Sequence, residues 1–272
     1  MATFRTSEGL NLYYNDEGSG LPLLCLPGLT RTTVDFQYVT PHLPPCRLIK
    51  MDYRGRGQSD LDPDWKNYTL PVEIRDVIEL MDHLSLPACA ILGTSRGGLN
   101  GMGLAAAAPE RVLGVALNDV GPELDPEGLA GIMVYLGRKP AARTHAEAAM
   151  ALPHVLKGFA NVSPERWMQE AQTHFVQGPG GLDITYDPHL RDAVEAGGEI
   201  PDLWPYFDAL AGKPTCLIRG AGSDLLSAAT AQKMQDRRPD MIYAEVPDRG
   251  HVPFLDEPEA VDALLAWMEQ MQ

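Results

Sequence analysis

Residues 93–97 read Gly93-Thr94-Ser95-Arg96-Gly97, between an apolar run at 88–92 and an alanine-rich stretch at 97–108. The apolar run has the length of a short buried strand, and the stretch after it reads as a helix. A strand that passes straight into a helix must turn within a few residues. Small residues belong where that turn brings neighbouring backbones too close for a large Cβ substituent. The G-x-S-x-G pattern therefore predicts a sharp strand–turn–helix unit with Ser95 at its apex. A serine held there is exposed, with its hydroxyl near the positive end of a helix.

The rest of the chain repeats this rhythm. Residues 10–15 alternate before the turn signal Gly18-Ser19-Gly20. Apolar runs at 21–26, 48–51 and 112–117 read as strands. The spacing of Val72, Ile74, Val77, Leu80, Met81 and Leu84 predicts a helix over 70–84, and a shorter helix is expected over 34–43, closed by Pro44-Pro45. Strands alternating with helices from 21 to 118 imply βαβ units. The rhythm then stops. Residues 122–200 show helical stretches and no clear buried strand, with a turn at Gly178-Pro179-Gly180-Gly181. It resumes with a strand at 215–218, a helix at 227–236, a strand at 241–246 and a closing helix at 258–271. The expected fold is α/β, a mostly parallel central sheet with flanking helices. Residues 1–121 and 201–272 would form the core, and 122–200 an inserted helical cap long enough to act as a lid.

Composition narrows the function. A net charge of −15 and a pI of about 4.8 oppose binding to nucleic acid or to an anionic membrane, both of which call for a basic face. No window approaches 18 uninterrupted apolar residues, and Met1-Ala2-Thr3-Phe4-Arg5 lacks the apolar core of a signal peptide. Cys25, Cys46, Cys89 and Cys216 form no C-x-x-C pair and read as buried free thiols in a reducing compartment. A cytoplasmic location is expected. Gly98, Gly101 and Gly103 fall inside a helix, so their spacing is no dinucleotide fingerprint. Without a P-loop, an H-E-x-x-H pair or clustered metal ligands, no cofactor or metal is expected.

A serine hydroxyl is a poor nucleophile at neutral pH and needs a base, which in turn needs an orienting acid. Around this elbow the chain order is Ser, then Asp or Glu, then His. Each later member belongs on a loop after a strand, because strand ends at one edge of a parallel sheet converge. Asp224 follows the strand at 215–218. His251 follows the strand ending at Val246 and is the only histidine beyond Asp224. Asp119 also follows a strand and is the alternative acid.

Leu26-Pro27-Gly28-Leu29, Asp52-Tyr53-Arg54-Gly55-Arg56-Gly57-Gln58-Ser59, the elbow, Gly222-Ser223-Asp224 and Gly250-His251-Val252-Pro253-Phe254 together resemble the α/β-hydrolase fold superfamily. The resemblance covers nearly the whole chain outside the insertion and is greatest to small, lidded esterases, lactonases and carbon–carbon hydrolases. It implies Ser95 as nucleophile, His251 as general base and acid, and Asp224 as orienting carboxylate. The backbone N–H groups of Leu29 and Arg96 would form the oxyanion hole. Pro27 stands where many members carry histidine, which removes any role for an imidazole there. Serine at 95, where haloalkane dehalogenases and epoxide hydrolases carry aspartate, argues against those branches.

For the Arg96 side chain, a structural pair with a nearby acid is preferred over a substrate contact. Leu225 and Val252, beside the two triad loops, and Tyr135 and Phe159 in the insertion are the candidate pocket residues. The expected activity is serine hydrolysis of small, fairly apolar carboxylic esters through an acyl-enzyme. Cleavage of a C–C bond in a meta-cleavage-type diketone, or lactone opening, is the alternative. A ligand-binding receptor with a slow triad is the reading from a different class. The expected partner is a small-molecule ester.

Overall fold

The computed structural model describes residues 2–198 and 200–271. Its strands are β1 (Ala2–Arg5), β2 (Asn11–Gly18), β3 (Pro22–Leu26), β4 (Arg47–Met51), β5 (Cys89–Thr94), β6 (Val112–Asn118), β7 (Phe175–Gly178), β8 (Gly181–Ile184), β9 (Thr215–Gly220) and β10 (Ile242–Val246). Its α-helices are α1 (Leu70–His83), α2 (Arg96–Ala107), α3 (Pro126–Tyr135), α4 (His145–Val155), α5 (Pro164–His174), α6 (Leu190–Ala196), α7 (Trp204–Asp208), α8 (Ala228–Arg237) and α9 (Pro258–Glu269). One sheet runs β1-β2-β4-β3-β5-β6-β9-β10. The β1–β2 and β2–β4 pairs are antiparallel and the remaining pairs are parallel.

The central strands are legible as apolar runs because helices cover both their faces. Every residue of β5 and β9 is buried. Alternate residues of one strand serve opposite faces. Leu24 and Leu26 of β3 pack with Val77 and Leu80 of α1 and Leu104 of α2. Leu23 and Cys25 pack on the other face with Leu264, Trp267 and Met268 of α9. The four cysteines are free and buried.

Two expectations change. The helix expected over 34–43 is two single turns, Thr33–Gln37 and Thr40–His42. Pro41 lacks an N–H and disfavours the helical conformation of the residue before it, so a continuous helix breaks there. Between β6 and β9 the chain is not purely helical: β7 and β8 form an antiparallel hairpin whose turn lies at the expected Gly178-Pro179-Gly180-Gly181.

Helices of this inserted segment begin at good caps. Asp125, Thr144 and Ser163 accept from the N–H groups of Glu127, Glu147 and Arg166. The segment has an apolar cluster of its own, with Ala148 and Leu152 of α4, Trp167 and Ala171 of α5, and Leu182 of β8. It is also tied to the sheet core. Gly57 N–H donates to Thr185 O and Asp187 N–H to Gly55 O. A second seam lies at 157–160. A Cβ on Gly158 would collide with the Gly222 carbonyl, and one on Gly250 with the Lys157 carbonyl. Ala160 N–H donates to Asp248 O at 3.0 Å. Among the described residues, no helix is long and apolar enough to cross a membrane.

Candidate active site

Ser95 stands at the end of buried β5, where the chain turns into α2. Its φ of 50° and ψ of −115° lie outside the regions that L-residues ordinarily occupy. Packing over-determines this conformation. A Cβ on Gly93 would come within 2.5 Å of the Gly97 backbone, and one on Gly97 would overlap the Leu26 carbonyl. Both glycines of the pentapeptide are thus demanded by close backbone approach. The serine's N–H donates to Asn118 O at 2.9 Å, and its carbonyl accepts from Gly98 and Leu99 in the first turn of α2. The side chain is half-buried.

His251, on the loop after β10, places Nε2 2.9 Å from Ser95 Oγ. Its Nδ1 lies 2.7 Å from Asp119 Oδ2. This carboxylate is fully buried at the end of β6, the strand beside β5, and also accepts from Gly220 N–H at 2.8 Å and Ser223 Oγ–H at 2.5 Å. The expectation of Asp224 as the partner of His251 is corrected: the carboxylate that meets the imidazole is Asp119, the alternative. The loop after β9 explains the difference. Ser223 donates to Asp119 while its Oγ accepts from Leu225 and Leu226 N–H, which closes a tight turn. Asp224 therefore faces α3, with Oδ2 3.9 Å from where a Cβ on Gly131 would stand. Among the described residues its carboxylate makes no hydrogen bond. Ser223 belongs to the Gly222-Ser223-Asp224 segment, where nothing in the residue order marks it as a partner of Asp119.

Leu29 follows the loop that packs on the elbow, and Arg96 follows Ser95 directly. Among the described residues, neither N–H donates to another protein group; Arg96 is the first residue of α2, where an N–H has no partner within the helix. The loop from Leu26 to Gly28 lies against the elbow. A Cβ on Gly28 would stand 3.9 Å from that of Ser95.

The Arg96 side chain turns away from Ser95 and donates to Glu73 Oε2 at 2.8 Å, which is the structural pair. Glu73 is fully buried on α1 and also accepts from Arg56 at 2.8 Å and Asn100 at 3.0 Å. Burial pushes its carboxyl up, but the guanidiniums of Arg96 and Arg56 outweigh this and hold it at about 2. Arg54 is likewise structural, bonded at 2.6–2.7 Å to Asp76 and Asp62.

Beside Ser95, Asp119 and His251 lies a cleft that is partly open to solvent. Thr94, Asn118 and Val252 line it, and they are the sequence neighbours of Ser95, Asp119 and His251. Phe159 lines it too, in contact with Phe254 at 5.5 Å between ring centroids. Two of the four candidate pocket residues, Val252 and Phe159, thus border this cleft. Leu225 does not; it is buried beneath α3, where Gly128 allows the approach. Tyr135 stands partly exposed at the end of α3. Arg31, not singled out in the sequence, faces the cleft from the loop after β3.

A mostly parallel sheet whose strand ends bring a strained serine, a histidine and a buried carboxylate into one hydrogen-bonded line defines an α/β hydrolase fold. The chain belongs to the alpha/beta hydrolase family, whose model matches residues 23–264, and it is a hydrolase. It is similar to a 3-hydroxybutyrate-oligomer hydrolase of Cupriavidus necator, with 35% identity over 91% of this chain and 88% of that one. It is also similar to a 2-(acetamidomethylene)succinate hydrolase of Mesorhizobium japonicum, with 28% identity over 89% of this chain and 85% of that one. Among solved structures, an alpha/beta hydrolase from Novosphingobium aromaticivorans superposes with a TM-score of 0.92 at 37% identity, over 99% of this chain and 97% of that one.

Proposed function

We propose that the protein hydrolyses small carboxylic esters through an acyl-enzyme on Ser95. The observation that carries this reading is the line Ser95 Oγ, His251 Nε2, His251 Nδ1, Asp119 Oδ2, with contacts of 2.9 and 2.7 Å. In this mechanism His251 Nε2 takes the Ser95 proton as Oγ attacks the ester carbonyl. Asp119 holds the imidazole in the right tautomer and balances the imidazolium that forms. The N–H groups of Leu29 and Arg96 receive the oxyanion, each worth ~3 kcal/mol. The alcohol leaves with the proton from His251, and water deprotonated by the same nitrogen then releases the acid.

Residues 122–200 act in this reading as a cap over the strand ends. The similarity to a 3-hydroxybutyrate-oligomer hydrolase supports short hydroxy-acid esters as the substrates to try first. The direct test is Ser95→Ala assayed with 4-nitrophenyl butyrate and a linear 3-hydroxybutyrate dimer. A fall in kcat of roughly 10⁵- to 10⁶-fold is expected, with an unchanged circular dichroism spectrum. Turnover by the variant at the wild-type rate would overturn the proposal.

A further inference from the structure

Arg31 is placed beside the nucleophile and its donors are unspent. A Cβ on Gly28 would stand 3.1 Å from Arg31 Cγ and 3.9 Å from Ser95 Cβ, so Gly28 lies between the arginine stem and the serine. The side chain is only 20% exposed. Its nearest carboxylate oxygens, Asp35 Oδ2 at 3.6 Å and Glu170 Oε2 at 3.9 Å, lie beyond hydrogen-bond reach. Among the described residues its guanidinium donates no hydrogen bond. Arg54, Arg56 and Arg96, also at the sheet's edge, each donate to carboxylates at 2.6–2.8 Å. A partly buried guanidinium with idle N–H groups can donate to whatever acceptor enters beside it.

The surroundings say what would. Arg31 lines the same cleft as Thr94, Asn118 and Val252, next to the triad. Its charge also reaches the inserted segment, where it opposes the rise that burial imposes on the hydroxyls of Tyr135 and Tyr186. The planar fork of a guanidinium matches a carboxylate bidentately. Burial pushes the Asp35 carboxyl up to about 7, so this nearby acid does not present a full charge against Arg31 at neutral pH. In a chain of net charge −15, a local cation at the nucleophile is what an anionic substrate requires.

We infer that Arg31 docks a carboxylate carried by the substrate, so that the site takes short monoanionic esters. The inference deepens the ester-hydrolase reading and rests on it.

Two matched pairs test it, one for each side of the scissile bond: methyl hydrogen glutarate against methyl pentanoate, and 3-(butanoyloxy)butanoate against its primary amide. Wild-type protein is expected to favour the acid in at least one pair by kcat/KM. In Arg31→Gln that ratio should fall about 10- to 100-fold, the loss typical of a hydrogen bond to a charged group, and chiefly through KM. Arg31→Lys should restore part of it. Wild-type turnover without preference in either pair, or an unchanged ratio in Arg31→Gln, overturns the assignment of Arg31 and leaves the ester reading standing. No turnover of any of the four overturns the ester reading and this inference together.

Discussion

Asp119 accomplishes with one carboxylate what the sequence distributed over two positions. Its Oδ2 accepts from His251 and Ser223, and its Oδ1 from Gly220 N–H. Asp119→Asn should lower kcat about 10⁴-fold by stabilising the wrong imidazole tautomer. Asp224→Asn should stay within about 3-fold of wild type, the size of effect expected away from a site. Steady-state kinetics of the two variants on one ester decide between the carboxylates. Chain order does not, because both aspartates lie between Ser95 and His251. What separates them is which strand neighbours β5 and how Ser223 closes its turn, and neither leaves a trace in residue spacing. Ser95 and His251 were legible because their loops are short and glycine-flanked, and those glycines have identifiable steric causes.

At the scale of elements, α1 is fastened to α2 and to the loop after β4 through Glu73. Its folded-state carboxyl sits near 2, below the ordinary 4.5, because two guanidiniums favour the ionised form. The stability it contributes is therefore present above about pH 4.5 and lost as pH falls toward 2. Glu73→Gln leaves the buried Arg56 and the partly buried Arg96 without their countercharge and should cost about 3–5 kcal/mol at pH 7. Urea titrations should show that gap narrowing as pH drops below 4.5. The parallel strands were readable because burial on both faces makes them continuous apolar runs. The β7–β8 hairpin was not, since its strands have four residues each and β7 has no buried residue. Nor was β1, a four-residue edge strand with one buried side chain.

Across the whole molecule, the boundary between sheet core and insertion holds like charges together. Asp35, after β3, faces Glu170 of α5 with Arg31 between them. Burial raises the Asp35 carboxyl to about 7, with Glu170 and Asp52 adding to the rise and Arg31 opposing it. The folded protein thus keeps a proton there that the unfolded chain releases near 3.8, and stability should decline as pH rises from about 4 to 7. Asp35→Asn removes that decline. The variant should gain on wild type by on the order of 1–3 kcal/mol at pH 8 and little at pH 4, as read by thermal melts. An equal gain at both pH values would show that Asp35 is ionised in the fold throughout. The pause in strand rhythm predicts a helical stretch before the strand at 215–218, and α3 to α7 occupy it together with the β7–β8 hairpin. How that stretch docks was not legible, because its ties join residues far apart in sequence, through backbone groups and through side-chain pairs such as Tyr68–Asp187 and Arg166–Asp256.

The seam at 157–160 has a consequence for engineering. Where Gly158, Gly222 and Gly250 meet, main chain lies on main chain, with the Phe159 ring packed against Gly250. Side chains lining the cleft can be changed by ordinary substitution, but the segment between β6 and β9 is not an interchangeable part. A foreign segment spliced between β6 and β9 would have to supply a glycine at that crossing, or it would push against the loop that carries His251. The joint that makes the insertion a close neighbour of the histidine also limits which replacements the scaffold will accept.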